Sequence, residues 1–157
     1  MLKVVTVAVL PLVLWAATGR EKPGADVAAI TETAMDYAYG WYEGDAARME
    51  RSLHPDLAKR VLMPERNSGQ WRISHMSAPQ LVQGARQGSG TQTPADIRKA
   101  NVTVLDVFGN AASVKLEMHD WVDYMHLSKI DGRWVIVNVL WELTPEAKLQ
   151  RGIPDQP

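Results

Sequence analysis

Cysteine is absent from all 157 positions. That excludes disulfides, a thiol nucleophile and lipid attachment through a cysteine. An excess of one charge is also missing. Lys and Arg number 17 against 18 Asp and Glu, for a net charge of -1, so the chain carries no electrostatic footprint for nucleic acid. The four histidines, His54, His75, His119 and His126, show neither His-Glu-x-x-His nor His-x-His spacing, and no metal or other cofactor is expected. No Gly-x-Ser-x-Gly or phosphate-loop pattern occurs, which leaves acyl transfer and nucleotide hydrolysis without support. Internal repeats and low-complexity segments are missing as well.

The apolar run from Val4 to Ala17 in "MLKVVTVAVLPLVLWAATG" falls short of the roughly 20 residues that span a bilayer. It follows Lys3 and precedes the small residues Ala17 and Gly19, the layout of a secretory leader cut before Arg20. Residues 1–19 are therefore expected to be a signal peptide and 20–25 a linker. The mature chain is expected to be periplasmic or secreted, with no membrane contact after cleavage. What remains suits one domain, over residues 26–144, with a tail over 145–157.

Ile30, Ala34, Tyr37, Ala38 and Trp41 recur at the spacing of one helical face, which predicts a helix from Asp26 to Glu43. Gly44 is placed to end it, and Asp45 to cap a short second helix with Met49 and Leu53 facing the core. His54 then sits at a cap, and Pro55 opens a third helix in which Leu57 and Val61, or Ala58 and Leu62, form the buried pair. The alternation in "QWRISHM" predicts a strand, and Ser77 with Gln80 a capping box that starts a further helix closed by Gly88. "GSGTQTP" is a loop. The last third reads as a meander, turning at Gly109-Asn110 and at Asp131-Gly132. Together these elements give an α+β fold with an antiparallel sheet, the turns being too short for crossovers. The end, "QRGIPDQP", is expected to be disordered or loosely docked.

"YGWYEGDAARMERSLHPDLAKR" joined to "DYMHLSKIDGRWVIVNVLW" resembles the lumazine-binding family. That family lies in the superfamily of cone-shaped domains with nuclear transport factor 2, ketosteroid isomerase, scytalone dehydratase and small polyketide cyclases. The resemblance implies a curved sheet wrapped around N-terminal helices, with a pocket at the wide end and dimerisation through the sheet. It does not place the buried acid and base of ketosteroid isomerase on this chain.

Register decides which strand residues face that pocket. A two-residue loop at Asp131-Gly132 sets Met125 opposite Asn138, whereas a three-residue loop with a glycine bulge sets Tyr124 opposite Asn138 and His126 opposite Ile136. The second is favoured, because it gathers Met125, Leu127, Val135, Val137 and Val139 on one apolar face, suited to a homodimer contact. The other face then carries Tyr124, His126, Trp134, Ile136 and Asn138. On this reading Tyr37, Trp41, Trp71, Tyr124, His126 and Asn138 bind the ligand. His126 is the candidate acid or base and Tyr124 the donor to a developing oxyanion. Trp121 is a further ligand contact, while Trp141 is assigned to the outer face or a dimer contact, and Asp106, Asp120 and Asp123 to surface or turn positions. The functions that fit are an exported domain binding a small hydrophobic or aromatic molecule, a proton-transfer enzyme (isomerase, cyclase or dehydratase), and a protein-binding accessory module.

Overall fold

Helix α1 (Pro23–Glu43) is the axis of the fold. The computed structural model describes residues 23–65 and 68–154, so the expected leader lies outside the described residues. The helix begins in the segment expected to be linker, since Pro23 tolerates the first turn. Near its start Asp26 accepts hydrogen bonds from Lys129 Nζ (3.0 Å) and Trp134 Nε1 (2.8 Å), clamping the helix to the sheet. Its buried face is Ile30, Ala34, Tyr37 and Ala38, as the spacing predicts. Gly44, at φ 70°, ends it, and Asp45 caps α2 (Ala46–Ser52) by accepting from the Arg48 N–H at 2.9 Å. The two helices cross closely at Gly40, where a Cβ would stand 2.7 Å from the Met49 nitrogen.

The expected third helix is a strand, β1 (Leu53–Pro64). Both candidate pairs, Leu57 with Val61 and Ala58 with Leu62, are four residues apart, an even number that also puts each on one face of a strand, and Leu57 and Val61 are the buried one. Lys59 falls between them on that face. The strand β2 (Trp71–Met76) follows as expected, then α3 (Ala78–Arg86), where Gln80 Oε1 accepts from the Ser77 N–H at 2.8 Å. A loop with a 3-10 turn at Ala95–Ile97 leads to β3 (Ala100–Phe108), β4 (Ala111–Met118), β5 (Trp121–Ile130) and β6 (Arg133–Leu143).

The strands form one six-stranded curved sheet, ordered β2-β1-β6-β5-β4-β3, that packs against α1 in an α+β cone. It is not wholly antiparallel: β1 runs parallel to β6, with Ala58 beside Asn138 and Lys59 beside Val139. Short turns dictate antiparallel pairing only between consecutive strands, and β1 and β6 are not consecutive. The chain ends in a short helix, α4 (Pro145–Gln150), capped by Thr144 and burying Ala147. Its neighbour Arg151 ion-pairs with Asp120 at 2.6 Å, so this part of the expected loose tail is docked.

Neither simple register describes β5 and β6. At the turn, Asp131 (φ 50°) and Gly132 (φ 77°) form a two-residue loop with positive φ at both positions, setting Ile130 opposite Arg133 and Leu127 opposite Ile136. A bulge then shifts the pairing, so that His126 faces Asn138 and Tyr124 faces Leu140. The favoured pairings of Tyr124 with Asn138 and His126 with Ile136 are therefore corrected. Because the bulge re-phases one strand, Ile136 and Trp134 lie in the core while Asn138 turns outward.

Candidate functional site

A cavity of about 500 Å³ opens between α1, the inner sheet face, the 87–99 loop and α4. Its wall comes from Trp41 of α1, Trp121 at the start of β5 and Trp141 of β6. These rings meet edge to face, Trp41 with Trp121 at 6.1 Å and Trp121 with Trp141 at 6.0 Å. Met76, Leu81, Pro94 and Ile97 line the facing side. The rim is polar, with His119, Asp120, Gln92 and Arg151.

Lys59 and Tyr37 bring charge and a hydroxyl to this mostly apolar space. Lys59 is 4% exposed and Asp123 fully buried. The lysine donates to Asp123 Oδ1 in an ion pair and to Tyr37 Oη at 2.6 Å. The second carboxylate oxygen accepts from Trp121 Nε1 at 3.0 Å. Lys59 Nζ also stands 5.0 Å from the Trp141 ring centroid, within range of a cation–π contact. Among the described residues no buried side-chain nitrogen or oxygen lacks a partner, so the polar cluster is satisfied within the chain.

Burial pushes the Lys59 ammonium down from its ordinary value, against the opposing pull of Asp123. It pushes the Asp123 carboxyl up, although Lys59 and Trp121 favour the anion. The two shifts approach each other, which reduces the free-energy difference between the ion pair and the neutral amine with carboxylic acid. Burial, and then the Asp123 charge, hold the Tyr37 phenol well above its usual value, so Tyr37 keeps its proton at neutral pH. Its oxygen accepts from Lys59, and its own O–H remains available to an acceptor in the cavity. The site therefore offers a proton donor backed by an ion pair, under an aromatic wall.

Tyr37 and Trp41 line this cavity, and so does Trp121. Trp71, Tyr124, His126 and Asn138 do not. Trp71 sits on β2 at the sheet edge. Tyr124, 49% exposed, alternates with buried Asp123 and Met125 and so points from the other side of β5. His126 and Asn138 share that outer face, where Asn138 Nδ2 meets His126 Nδ1 at 3.1 Å and Asn138 Oδ1 accepts from Arg60 Nη1 at 2.8 Å. Strand phase thus places His126 and Tyr124 outside this cavity. For the same reason Met125, Leu127 and Val139 are core and cannot form a dimer contact, and Trp141 moves from the outer face to the cavity wall.

Lys59, Asp123 and Trp141 are the residues that sequence reasoning missed. Asp123 shares strand parity with Met125 and Leu127, so the apolar face already contained an acid. Among the described residues, no group of three or more His, Cys, Asp or Glu is placed to hold a metal ion.

The same architecture occurs in solved structures. A nuclear transport factor 2-like protein of unknown function from Silicibacter pomeroyi superposes with a TM-score of 0.64 at 16% identity, over 78% of this chain and 99% of that one. One from Shewanella baltica gives 0.61 at 17% identity, over 79% and 98% of the two chains. A third, from Methylobacillus flagellatus, gives 0.56 at 21% identity, over 79% and 96%. No curated protein matches the sequence. The family described as "Putative lumazine-binding" matches residues 25–142, a span that runs from the start of α1 into β6 and holds most of the cavity lining, and the chain belongs to that family.

Proposed function

We propose that the chain is an exported small-molecule-binding domain whose ligand is a flat, largely apolar molecule seated against the wall of Trp41, Trp121 and Trp141. The observation that carries this reading is the composition of the cavity. A space of about 500 Å³ falls within the range of about 300 to 1,000 Å³ typical of small-molecule sites. Its lining joins an aromatic wall to convergent polar groups, Lys59 and Tyr37 within and Gln92, His119, Asp120 and Arg151 at the rim. Its floor is net neutral, because Asp123 compensates Lys59, and it presents the Tyr37 hydroxyl to a carbonyl or ring nitrogen. A thermal-shift panel of aromatic heterocycles, steroids and polyketide-like acids tests the reading. Members that bind the folded state raise the melting temperature by mass action. Trp41→Ala is expected to weaken that binding at least about tenfold, the scale of losing one aromatic contact. His126→Ala is expected to leave it unchanged. A flat response across the panel argues against a small-molecule site.

A second reading, proton-transfer catalysis, is supported by the Lys59–Tyr37 hydrogen bond, which readies the phenol to stabilise an oxygen where charge develops. Turnover of a bound carbonyl compound, lost in Tyr37→Phe, separates it from binding alone.

Export is supported by the leader-like pattern of residues 1–19. Homodimerisation is proposed through the outer sheet face, where Tyr124, Leu140 and Ile73 are each about half exposed. Native mass spectrometry of the protein purified from its own cells reads both. The expected species is a dimer with each chain starting near Arg20, whereas a monomer retaining Met1 contradicts the two proposals together.

A further inference from the structure

Lys59 is the one fully buried cation among the described residues, and it lines the cavity instead of being packed away from it. A buried ion pair is a poor stabilising device, since hydrophobic side chains of similar volume often do as well or better. The two groups that hydrogen-bond the amine are those that condensation with a carbonyl requires. Asp123 is placed to take the ammonium proton, and Tyr37 to donate to a carbonyl oxygen and then to a departing hydroxyl. Three tryptophan rings border the approach and present an apolar surface to an aromatic carbonyl compound. The other titratable groups lining the space, His119, Asp120 and Arg151, stand at the rim, where Asp120 and Arg151 are paired with each other.

We propose that Lys59 is a covalent attachment site at which its amine condenses with an aromatic aldehyde or ketone held in the cavity, forming a Schiff base. The inference rests on the small-molecule reading of the cavity. Asp123 first accepts a proton from the Lys59 ammonium. The amine lone pair then attacks the carbonyl carbon, and the C=O electron pair moves to oxygen, which takes the Tyr37 proton. The phenolate recovers a proton from the new C–N nitrogen, giving a neutral carbinolamine. Dehydration follows when Tyr37 protonates the hydroxyl and water leaves as the nitrogen lone pair forms C=N. The proton stored on Asp123 returns through the nitrogen to Tyr37. The products are one water and a protonated Schiff base paired with the Asp123 carboxylate. Burial favours the first step, since it lowers the lysine and raises the acid.

The test treats the full chain with 2-naphthaldehyde and sodium cyanoborohydride at neutral pH and maps the reduced adduct by peptide mass spectrometry. Hydride addition to C=N fixes the ligand as a secondary amine. The expected result is one naphthylmethyl group on Lys59, formed faster than on any exposed lysine. Tyr37→Phe keeps the ring in place and is expected to slow trapping by about a hundredfold, the scale of a lost general acid. In parallel, 2-naphthalenemethanol, which has the same ring system and no carbonyl, is tested by thermal shift on wild type and Tyr37→Phe. A raised melting temperature with Lys59 unmodified overturns the covalent step and leaves the binding reading standing. Adducts spread over exposed lysines while Lys59 is spared overturn it as well. An unchanged melting temperature with no adduct counts against both.

Discussion

Lys59→Met is expected to cost about 3 to 5 kcal/mol of folding stability at neutral pH, the scale of leaving a buried charge uncompensated. Asp123 is fully buried, and without the lysine its carboxylate keeps only the Trp121 N–H. Replacing both partners by apolar residues, Lys59→Met with Asp123→Leu, is expected to recover most of the loss, because the penalty belongs to the orphaned charge. The single variant should also show a characteristic pH response. Burial raises the folded-state value of Asp123 above its ordinary 3.8, so the penalty is present while that group is ionised. It is relieved as the pH falls through the raised folded-state value towards 3.8. Urea unfolding of the single and double variants across that range measures both effects. A cost below about 1 kcal/mol for Lys59→Met, the scale of an exposed pair, would mean that the two groups do not form a closed buried pair.

Gly90→Ala is the second change with a large expected effect. A Cβ at this buried glycine would lie 2.3 Å from both the Trp41 carbonyl oxygen and the Trp41 ring carbon Cδ1, and 2.6 Å from Nε1. A backbone oxygen in the last turn of α1, which already accepts from the Gly44 N–H at 3.3 Å, cannot swing away as a side-chain tip does, so the loop or the helix must move. The expected cost is about 1 to 3 kcal/mol or more, as for other overpacked sites, together with loss of ligand affinity as Trp41 is displaced. Gly84→Ala is the internal comparison. Its Cβ would meet the outer edge of the same ring at 3.1 Å, and alanine is the better helix former in α3. Denaturation curves and ligand titrations that rank the two variants equally would argue against a close contact between the loop and Trp41.

The helix α1, its capped successor, the capping box of α3 and the C-terminal meander were legible because each rests on local chemistry: periodicity, caps and turn residues. β1 was not, because Leu57 and Val61 satisfy the helical and the extended period alike. Lys59, seated between them, reads as an exposed helix position in one case and as a core position in the other. The Lys59–Asp123 pair spans 64 residues of sequence, so neither partner advertises the other. The outer-face cluster of Tyr124, His126 and Asn138 shows the reverse failure. Those residues do lie together, as strand alternation implied, but Tyr124 and His126 alternate with buried Asp123 and Met125 on β5, and a bulge within β6 brings Asn138 to the same outer side. A bulge leaves almost no trace in composition, and one inserted residue re-phases everything beyond it. The aromatic helix face was readable in Tyr37 and Trp41, whereas Trp141 needed the strand's true phase.

The claim that the interior cavity, and not the outer sheet face, is the functional site is tested most directly by a crystal structure of the mature protein with the tightest binder from the thermal-shift panel. Ligand density is expected against the wall of Trp41, Trp121 and Trp141, with an acceptor atom within hydrogen-bonding distance of Tyr37 Oη or Lys59 Nζ. Density on the outer face beside Tyr124, His126 and Asn138, with the cavity holding only water, would contradict it.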